Sequence, residues 1–443
     1  MKIREVIVKL VDTTYQRVFN QKMSQAERDF LYNLSWVGAG TFVSTVLIAF
    51  FSILGGRLLG PQEYGKFTLI QSVAAFLSIP MSMGFSSAML KYTAEKSDPN
   101  RQKNIISTTY IIIGSLILIS VTCMFFFAQP LSKIFSTTPE LLRFSIYFAV
   151  LSTFFGLAQT TLRSTNRMRA FALSQPAYAI ILLISFVLFS LLDNLTFKSM
   201  VYSQLIAFAF AAIAIHLLYT RRYLNFSFDT TWTRTLSRFA LATIIGIVAV
   251  AIYGNIGKII IVRYMTVTDV GIYGAYTTAT TSVASVLWSI FNMVFFPTAS
   301  RYRDKLPILQ RINRLVPFIL VLGIPLVAIS GRLILLLYGE SYPFNLLWLI
   351  LFATSAIISI IRGFYASLLS SEGPRGALLS SAAAVVTAFF SLALNLILVP
   401  AIGITGATIA TITGYIAGII ALLWRGMRYL KNSLSYSDSL SSK

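Results

Sequence analysis

The feature that most constrains this sequence is a series of long apolar runs, separated by short clusters of charged and turn-forming residues. Hydrophobic residues make up 56% of the 443 residues, and charged residues only 12%, about half the share found in ordinary soluble domains. A run of about 20 apolar residues spans the hydrocarbon core of a bilayer, where the backbone must be helical to satisfy its own hydrogen bonds. The sequence therefore predicts an all-α polytopic membrane protein.

The boundaries of the apolar runs predict about twelve transmembrane helices. Their approximate ranges are 34–56, 67–89, 105–127, 144–162, 170–192, 199–219, 239–262, 272–296, 315–331, 346–369, 377–399 and 403–424. The connecting segments hold 27 of the 36 Lys and Arg residues on one side of the membrane and seven on the other, while Lys258 and Arg362 fall inside spans. Because basic loops stay in the cytoplasm, this bias places both termini there.

The chain also repeats itself with an offset of 206 residues. An arginine, an acid, a glycine and an aromatic residue in segment 57–67 match the same kinds of residue in segment 263–273. Segments 162–174 and 368–380 share residues at the same offset. A six-span repeat returns to the same side of the membrane, so we predict two parallel six-helix halves around a central cavity, related by a pseudo-twofold axis along the membrane normal.

This repeat divides the chain into five parts. We predict a cytoplasmic interfacial segment (1–33), an N-terminal half (34–219), a cytoplasmic linker (220–238), a C-terminal half (239–424) and a cytoplasmic tail (425–443). Apolar residues recur at helical spacing in residues 1–20, which favours an amphipathic interfacial helix, with a frayed tail as the alternative.

The distribution of reactive side chains excludes several kinds of site. Cys123 and His216 are the single cysteine and the single histidine, and we predict neither a metal nor a cofactor. None of the 15 Asp and Glu residues falls inside a predicted span. This argues against an exporter driven by a membrane-embedded carboxylate and against a catalytic carboxylate pair. The short periplasmic loops leave little room for a glycan polymerase or ligase, so we predict no enzyme.

Two cations at membrane depth are the leading candidates for ligand binding. Lys258 lies a few residues inside the outer end of the seventh span, beside Asn255, and Arg362 lies well inside the tenth. An unpaired charge facing lipid costs a few kcal/mol, so each should face protein or water. Both side chains suit a diphosphate or an acidic sugar. The alternative for Lys258 is that it snorkels to the membrane surface.

Further candidates lie at the two faces of the membrane. Arg57 and Arg263 are repeat partners that would rim the outer mouth of the cavity, unless they pair with Glu63 and Asp269 to fix turns. Lys91 would meet a substrate on the cytoplasmic face, unless it serves as a topology signal.

The second predicted span also contains candidate hinge residues. Pro80 removes a backbone hydrogen bond there, and Gly84 follows one turn later. We predict that this span bends at these positions.

Three stretches of the chain resemble one transporter family. They are residues 57–67 (RLLGPQEYGKF), continuing to Gly84 and Lys91, residues 257–273, and residues 394–411. Together they are similar to the polysaccharide-transporter branch of the multidrug/oligosaccharidyl-lipid/polysaccharide exporter superfamily, and above all to its O-antigen flippases. One departure is Gly257, since many relatives carry an acid before the lysine of the seventh span, so a mechanism that uses this acid is not carried over.

The resemblance implies a function. It implies a flippase that moves an undecaprenyl-diphosphate-linked oligosaccharide, the repeat unit of O-antigen or a similar surface polysaccharide, across a bacterial inner membrane by alternating access. A flippase for the peptidoglycan lipid precursor, a small-molecule exporter and a membrane glycan polymerase or ligase are the alternatives. The implied partners are the anionic lipid-linked glycan, membrane lipids and other polysaccharide-assembly membrane proteins. Nucleic acid is not expected, because the net charge of +21 lies on no soluble domain.

Overall fold

The computed structural model describes residues 25–95, 98–192, 195–225, 228–301, 306–370 and 374–441. All of the regular secondary structure in these ranges is helical. The predicted amphipathic segment, residues 1–20, lies outside these ranges. The helices are α1 (Gln25–Ser82), α2 (Phe85–Ala94), α3 (Pro99–Phe126), α4 (Ala128–Ile134), α5 (Pro139–Ser164), α6 (Met168–Leu191), α7 (Phe197–Ile215), α8 (Thr230–Tyr264), α9 (Val267–Arg301), α10 (Leu306–Tyr338), α11 (Leu346–Ser370) and α12 (Pro374–Ser441).

Nine helical stretches among the described residues are long and apolar enough to cross a membrane. Two of them, Ser35–Ser82 and Gly376–Gly426, are 48 and 51 residues long, which is enough for two crossings each. Helix α9 occupies the predicted eighth span but is not among the nine. With two crossings in each long stretch and one in α9, the described helices account for the twelve predicted spans. The all-α polytopic fold is confirmed.

Both long helices are broken where the sequence supplies a residue that tolerates the break. In α1 the break lies at Gly60 (φ 74°, ψ 172°), and Pro61 starts the next segment. In α12 it lies at Ile402 and Gly403, with φ of 59° at Gly403. Glycine adopts positive φ without a steric penalty, and proline is favoured at the start of a helix because its missing N–H is not needed there.

Helix boundaries follow the 206-residue offset found in the sequence. In α1 the segment after the break begins at Pro61, and α9 begins at Val267, which is 206 residues further along the chain. The same offset therefore holds in the three-dimensional structure as well as in the loop motifs.

The two halves cross at a pair of glycines that are repeat partners, Gly65 in α1 and Gly271 in α9. A Cβ atom on Gly65 would lie 2.0 Å from the carbonyl oxygen of Val267, and one on Gly271 would lie 1.9 Å from the carbonyl oxygen of Pro61. Pro61 and Val267 are themselves 206 residues apart. The contact is therefore reciprocal, as it is in a twofold interface.

A second contact on the same helices gives their direction. One turn further along, a Cβ atom on Gly274 would lie 3.0 Å from Cγ2 of Thr68, its own repeat partner. Because the contacts advance in the same sense along both helices, α1 and α9 run parallel here, and the twofold axis lies along them. The parallel arrangement of the halves agrees with the prediction, while the exact domain boundaries at 34–219, 220–238 and 239–424 stay a prediction.

The predicted hinge in the second span coincides with a break in the helix. Helix α1 contains Pro80 and ends at Ser82, and α2 begins at Phe85. Between them Met83 and Gly84 have positive φ, 41° and 84°. Gly84 lies against α8, where an added Cβ atom would be 2.9 Å from the carbonyl oxygen of Ala240. A bending movement at this break stays a prediction.

We expect Gly65→Ala and Gly271→Ala each to destabilise the protein by about 1–3 kcal/mol, because the added methyl group meets a backbone carbonyl that cannot move aside easily. The melting temperature of the purified protein in detergent, measured by intrinsic fluorescence, should fall. The matched control is Gly114→Ala, since a Cβ atom at Gly114 meets no atom within 4 Å. Equal melting temperatures for Gly65→Ala and Gly114→Ala would contradict the close crossing.

Candidate functional site

Arg362 of α11 lies inside the C-terminal half, beside two tyrosine rings that contact each other. Its Nη2 atom donates a hydrogen bond of 2.5 Å to Oη of Tyr253 in α8. Its guanidinium carbon lies 4.6 Å from the ring centre of Tyr253 and 5.8 Å from that of Tyr415 in α12. The Nε atom is buried and has no hydrogen-bond partner among the described residues. The guanidinium is therefore held by aromatic groups and keeps a free donor.

Lys258 lies on the same helix as Tyr253 and is partly buried. It is six residues before the outer end of α8, which is about 9 Å along the helix axis. Gly254 precedes it by one turn on the same helix face and is exposed, and a Cβ atom on Gly254 would meet no atom within 4 Å. Asn255 donates to the carbonyl oxygen of Ala251 at 3.2 Å, so its side-chain amide binds its own helix. The face of α8 that carries Lys258 therefore borders open space.

No ion pair joins Arg362 or Lys258 to a carboxylate in the part of the chain that the structure describes. The carboxylates of Glu63, Glu95 and Glu140 pair instead with Lys66, Arg101 and Lys198. Aromatic rings and a neutral hydroxyl stabilise the guanidinium of Arg362 but leave its charge uncompensated. The C-terminal half therefore carries net positive charge at membrane depth.

The position before Lys258 is close to two polar atoms. A Cβ atom on Gly257 would lie 3.3 Å from Oη of Tyr273 and 3.5 Å from Oδ1 of Asn395. Asn395 is fully buried, and its Oδ1 atom has no hydrogen-bond partner among the described residues. The chain therefore has polar side chains around position 257, although position 257 itself carries no acidic side chain.

Arg57 is exposed at the outer end of the first crossing and does not pair with Glu63. The Glu63 carboxylate accepts hydrogen bonds from Nζ of Lys66 and, at 3.0 Å, from the backbone N–H of Phe197. It thereby fixes the start of α7 rather than the side chain of Arg57.

Arg263, the repeat partner of Arg57, is also exposed and does not pair with Asp269. The Asp269 carboxylate accepts from the backbone N–H of Thr266 at 3.0 Å, and Thr266 Oγ1 accepts from the N–H of Asp269 at 3.2 Å. This reciprocal pair is a capping box at the start of α9. Both arginines are therefore exposed and unpaired with these acids, at the face that the charge bias predicts to be outer, and their role as a cavity rim stays a prediction.

Three tyrosines join the two halves near this outer face, and we call them the outer tyrosine cluster. Oη of Tyr64 in α1 lies 3.3 Å from Oη of Tyr338, and Oη of Tyr342 donates to the carbonyl oxygen of Gly56 at 3.0 Å. The three rings contact one another edge to face, with centroids 5.1–6.5 Å apart. Gly56 makes room for them, because a Cβ atom there would lie 2.4 Å from Cε1 of Tyr338.

Lys91 lies at the opposite face, where α2 meets α8. Its Nζ atom is 4.5 Å from the ring centre of Phe239 and 5.0 Å from that of Tyr92. Tyr92 also packs against Trp232, with ring centres 6.1 Å apart. Lys91 therefore touches residues of both halves, which a topology signal alone does not require.

The predicted residues thus lie at three levels across the membrane. Arg57 and Arg263 are at the face that the charge bias predicts to be outer, Lys258 and Arg362 are inside the C-terminal half, and Lys91 is at the opposite face. Sequence reasoning missed Tyr253 and the outer tyrosine cluster. A signal for Tyr253 was present, because tyrosine favours membrane interfaces and this one lies in the middle of an apolar run.

Comparisons with known proteins agree with this architecture. A family model described as polysaccharide biosynthesis protein matches residues 54–347. The lipid II flippase MurJ, in an inward closed conformation, superposes with a TM-score of 0.60 at 16% identity, covering 88% of this chain and 87% of that one. A multidrug resistance transporter of the MATE family and MOP superfamily, in an inward-facing conformation, gives 0.54 at 19% identity and 96% and 99% coverage.

A third solved structure, a MOP superfamily transporter from Pyrococcus furiosus, gives a TM-score of 0.55 at 17% identity, with 90% of this chain and 96% of that one covered. No curated protein sequence matches the chain. At these identities the solved structures show the fold of the chain and nothing more.

We expect Gly56→Ala to open the outer face, because the added methyl group displaces the rings of Tyr338 and Tyr342. In a Cys123→Ser background, a cysteine introduced at Thr278 should react several times faster with a membrane-impermeant maleimide added from outside. Thr278 reports on this contact, since its Oγ1 lies 3.4 Å from Oη of Tyr64. Gly114→Ala serves as the control, and an unchanged labelling rate in Gly56→Ala would show that the cluster does not close the outer face.

Proposed function

Because the chain belongs to the family of polysaccharide biosynthesis proteins, we propose that it is a flippase for an anionic, undecaprenyl-diphosphate-linked oligosaccharide. The oligosaccharide is the repeat unit of O-antigen or a similar surface polysaccharide. The protein moves it from the cytoplasmic to the periplasmic leaflet of a bacterial inner membrane, with both termini in the cytoplasm. Its other partners are membrane lipids and membrane proteins of polysaccharide assembly.

The observation that carries this proposal is the uncompensated positive charge of Arg362 and Lys258. Moving a charge out of water is costly, and a nearby carboxylate is the usual compensation. Here no described carboxylate forms an ion pair with Arg362 or Lys258, and Glu63, Glu95 and Glu140 pair with other cations. A diphosphate that enters from the cytoplasmic side supplies the missing negative charge, and it forms strong charge-assisted hydrogen bonds with both side chains.

The remaining candidates define a path for this anion. Lys91 receives the lipid-linked glycan at the inner face, Arg362 and Lys258 hold the diphosphate between the halves, and Asn255 lies beside the path. Arg57 and Arg263 rim the outer exit. The halves, 34–219 and 239–424, alternate by rocking about the linker 220–238 and the break at Pro80 and Gly84. The outer tyrosine cluster separates when the protein opens outward.

Transport in proteoliposomes tests this function. We expect the purified chain to move a defined undecaprenyl-diphosphate oligosaccharide between leaflets, and Arg362→Ala to lower the rate at least about tenfold, because it loses a charge-assisted contact. Lys258→Ala should have a smaller effect, since it lies nearer the outer solvent. Arg362→Lys should rescue only partly, because an ammonium cannot form bidentate phosphate contacts.

The matched control is Arg163→Ala, which removes an exposed arginine of the N-terminal half that contacts the ring of Phe171. The peptidoglycan lipid precursor and a cationic drug complete the substrate panel, with and without proton and sodium gradients. Normal transport by both Arg362→Ala and Lys258→Ala would refute the charge-based mechanism. Failure of these variants to accumulate in the membrane would show that the two residues are structural.

A further inference from the structure

Tyr253 stands out among the described residues because its hydroxyl and its ring both contact the same cation, Arg362. We infer that Tyr253 is a positioning residue: it fixes the guanidinium of Arg362 so that the remaining N–H donors face an anion that presents two oxygens side by side. The identity of that anion in the cell rests on the proposed function, whereas the coupling between the two residues does not.

Arg362 has more hydrogen-bond donors than its contacts with the described residues use. A guanidinium has five N–H groups in one plane, and one of them is directed to Oη of Tyr253. The Nε donor is buried and has no hydrogen-bond partner among the described residues. An unpaired buried donor on a charged group is costly. The hydrogen bond to Tyr253 is the guanidinium's only one among the described residues, so N–H groups of Nη1 and Nη2 remain for a ligand beside the contact with Tyr253.

Tyr253 contacts Arg362 from a different helix and thereby limits its movement. It comes from α8, while Arg362 comes from α11, and the ring of Tyr415 from α12 lies edge to face with that of Tyr253. Three helices therefore restrict one long side chain that has many accessible rotamers when free. Fixing it before the ligand binds lowers the entropy cost of binding.

The chemistry of the free donors selects the ligand class. A planar guanidinium binds two oxygens of a phosphate or a carboxylate in parallel. A lipid-linked acidic glycan offers this arrangement in two places, the diphosphate of the carrier and the carboxylate of an acidic sugar. Both groups present a pair of anionic oxygens, and simple amphiphiles that carry only one of the two groups distinguish between them.

A double-mutant cycle on the full chain, purified in neutral detergent, tests the inference. The probes are farnesyl diphosphate and octyl β-D-glucuronide, with farnesol and octyl β-D-glucoside as uncharged counterparts, and dissociation constants come from titration calorimetry. We expect Arg362→Ala to weaken binding of the charged probe about tenfold or more, and Tyr253→Phe to weaken it about threefold. The double variant should bind no more weakly than Arg362→Ala alone.

Tyr365→Phe is the matched control. It removes another tyrosine hydroxyl of the C-terminal half, which donates to Oδ1 of Asn313 at 2.6 Å, and it should leave the dissociation constant unchanged. Melting temperatures of all variants show whether folding is preserved, and Tyr253→Phe keeps the ring and its packing.

The outcomes separate the roles that Tyr253 could have. Preferential binding of farnesyl diphosphate assigns the carrier as the source of the anion, and preferential binding of the glucuronide assigns an acidic sugar. If Tyr253→Phe weakens binding by the same factor in the wild-type and Arg362→Ala backgrounds, the positioning role is overturned. It is also overturned if charged and uncharged probes bind equally well, or if no probe binds. If the coupling holds but proteoliposomes do not transport the lipid-linked glycan, the proposed function fails and this inference stands.

Discussion

The close crossing of α1 and α9 at Gly65 and Gly271 determines how the rest of the molecule is arranged. Each glycine lies against a backbone carbonyl of the opposite half, so neither position accepts a side chain. Small residues allow such close approach between membrane helices, where the hydrophobic effect does not drive helices together. Since the contact is reciprocal, it lies on the pseudo-twofold axis and fixes both the parallel orientation of the halves and their separation at this crossing.

The internal repeat includes both glycines of this crossing, but it does not include the two cations at membrane depth. The positions 206 residues before Lys258 and Arg362 are Ser52 and Gly156, which are neutral, and a Cβ atom on Gly156 meets no atom within 4 Å. The cationic site therefore belongs to the C-terminal half alone. A symmetric scaffold that supports two similar halves thus holds an asymmetric site, because the scaffold depends on backbone contacts and the site depends on single side chains.

Much of the fold could be predicted from the sequence, because its signals are local. Apolar runs predict the spans, and Gly60 with Pro61 marks the break in α1. The contacts of the site are not local. Arg362 meets Tyr253 across 109 residues, and Glu63 turns away from Arg57 because it accepts the N–H of Phe197, 134 residues further on. Spacing along the chain cannot distinguish such partners, since they depend on how separate helices pack.

The central claim is that cations at membrane depth bind the anion of a lipid-linked glycan. A structure of the protein, determined by electron cryo-microscopy with a bound undecaprenyl-diphosphate oligosaccharide, tests it most directly. The account predicts phosphate density about 3 Å from the guanidinium of Arg362 or from Nζ of Lys258, with Tyr253 still in contact with Arg362. Diphosphate density at the exposed Arg57 and Arg263 alone, with none near Arg362 or Lys258, would contradict it.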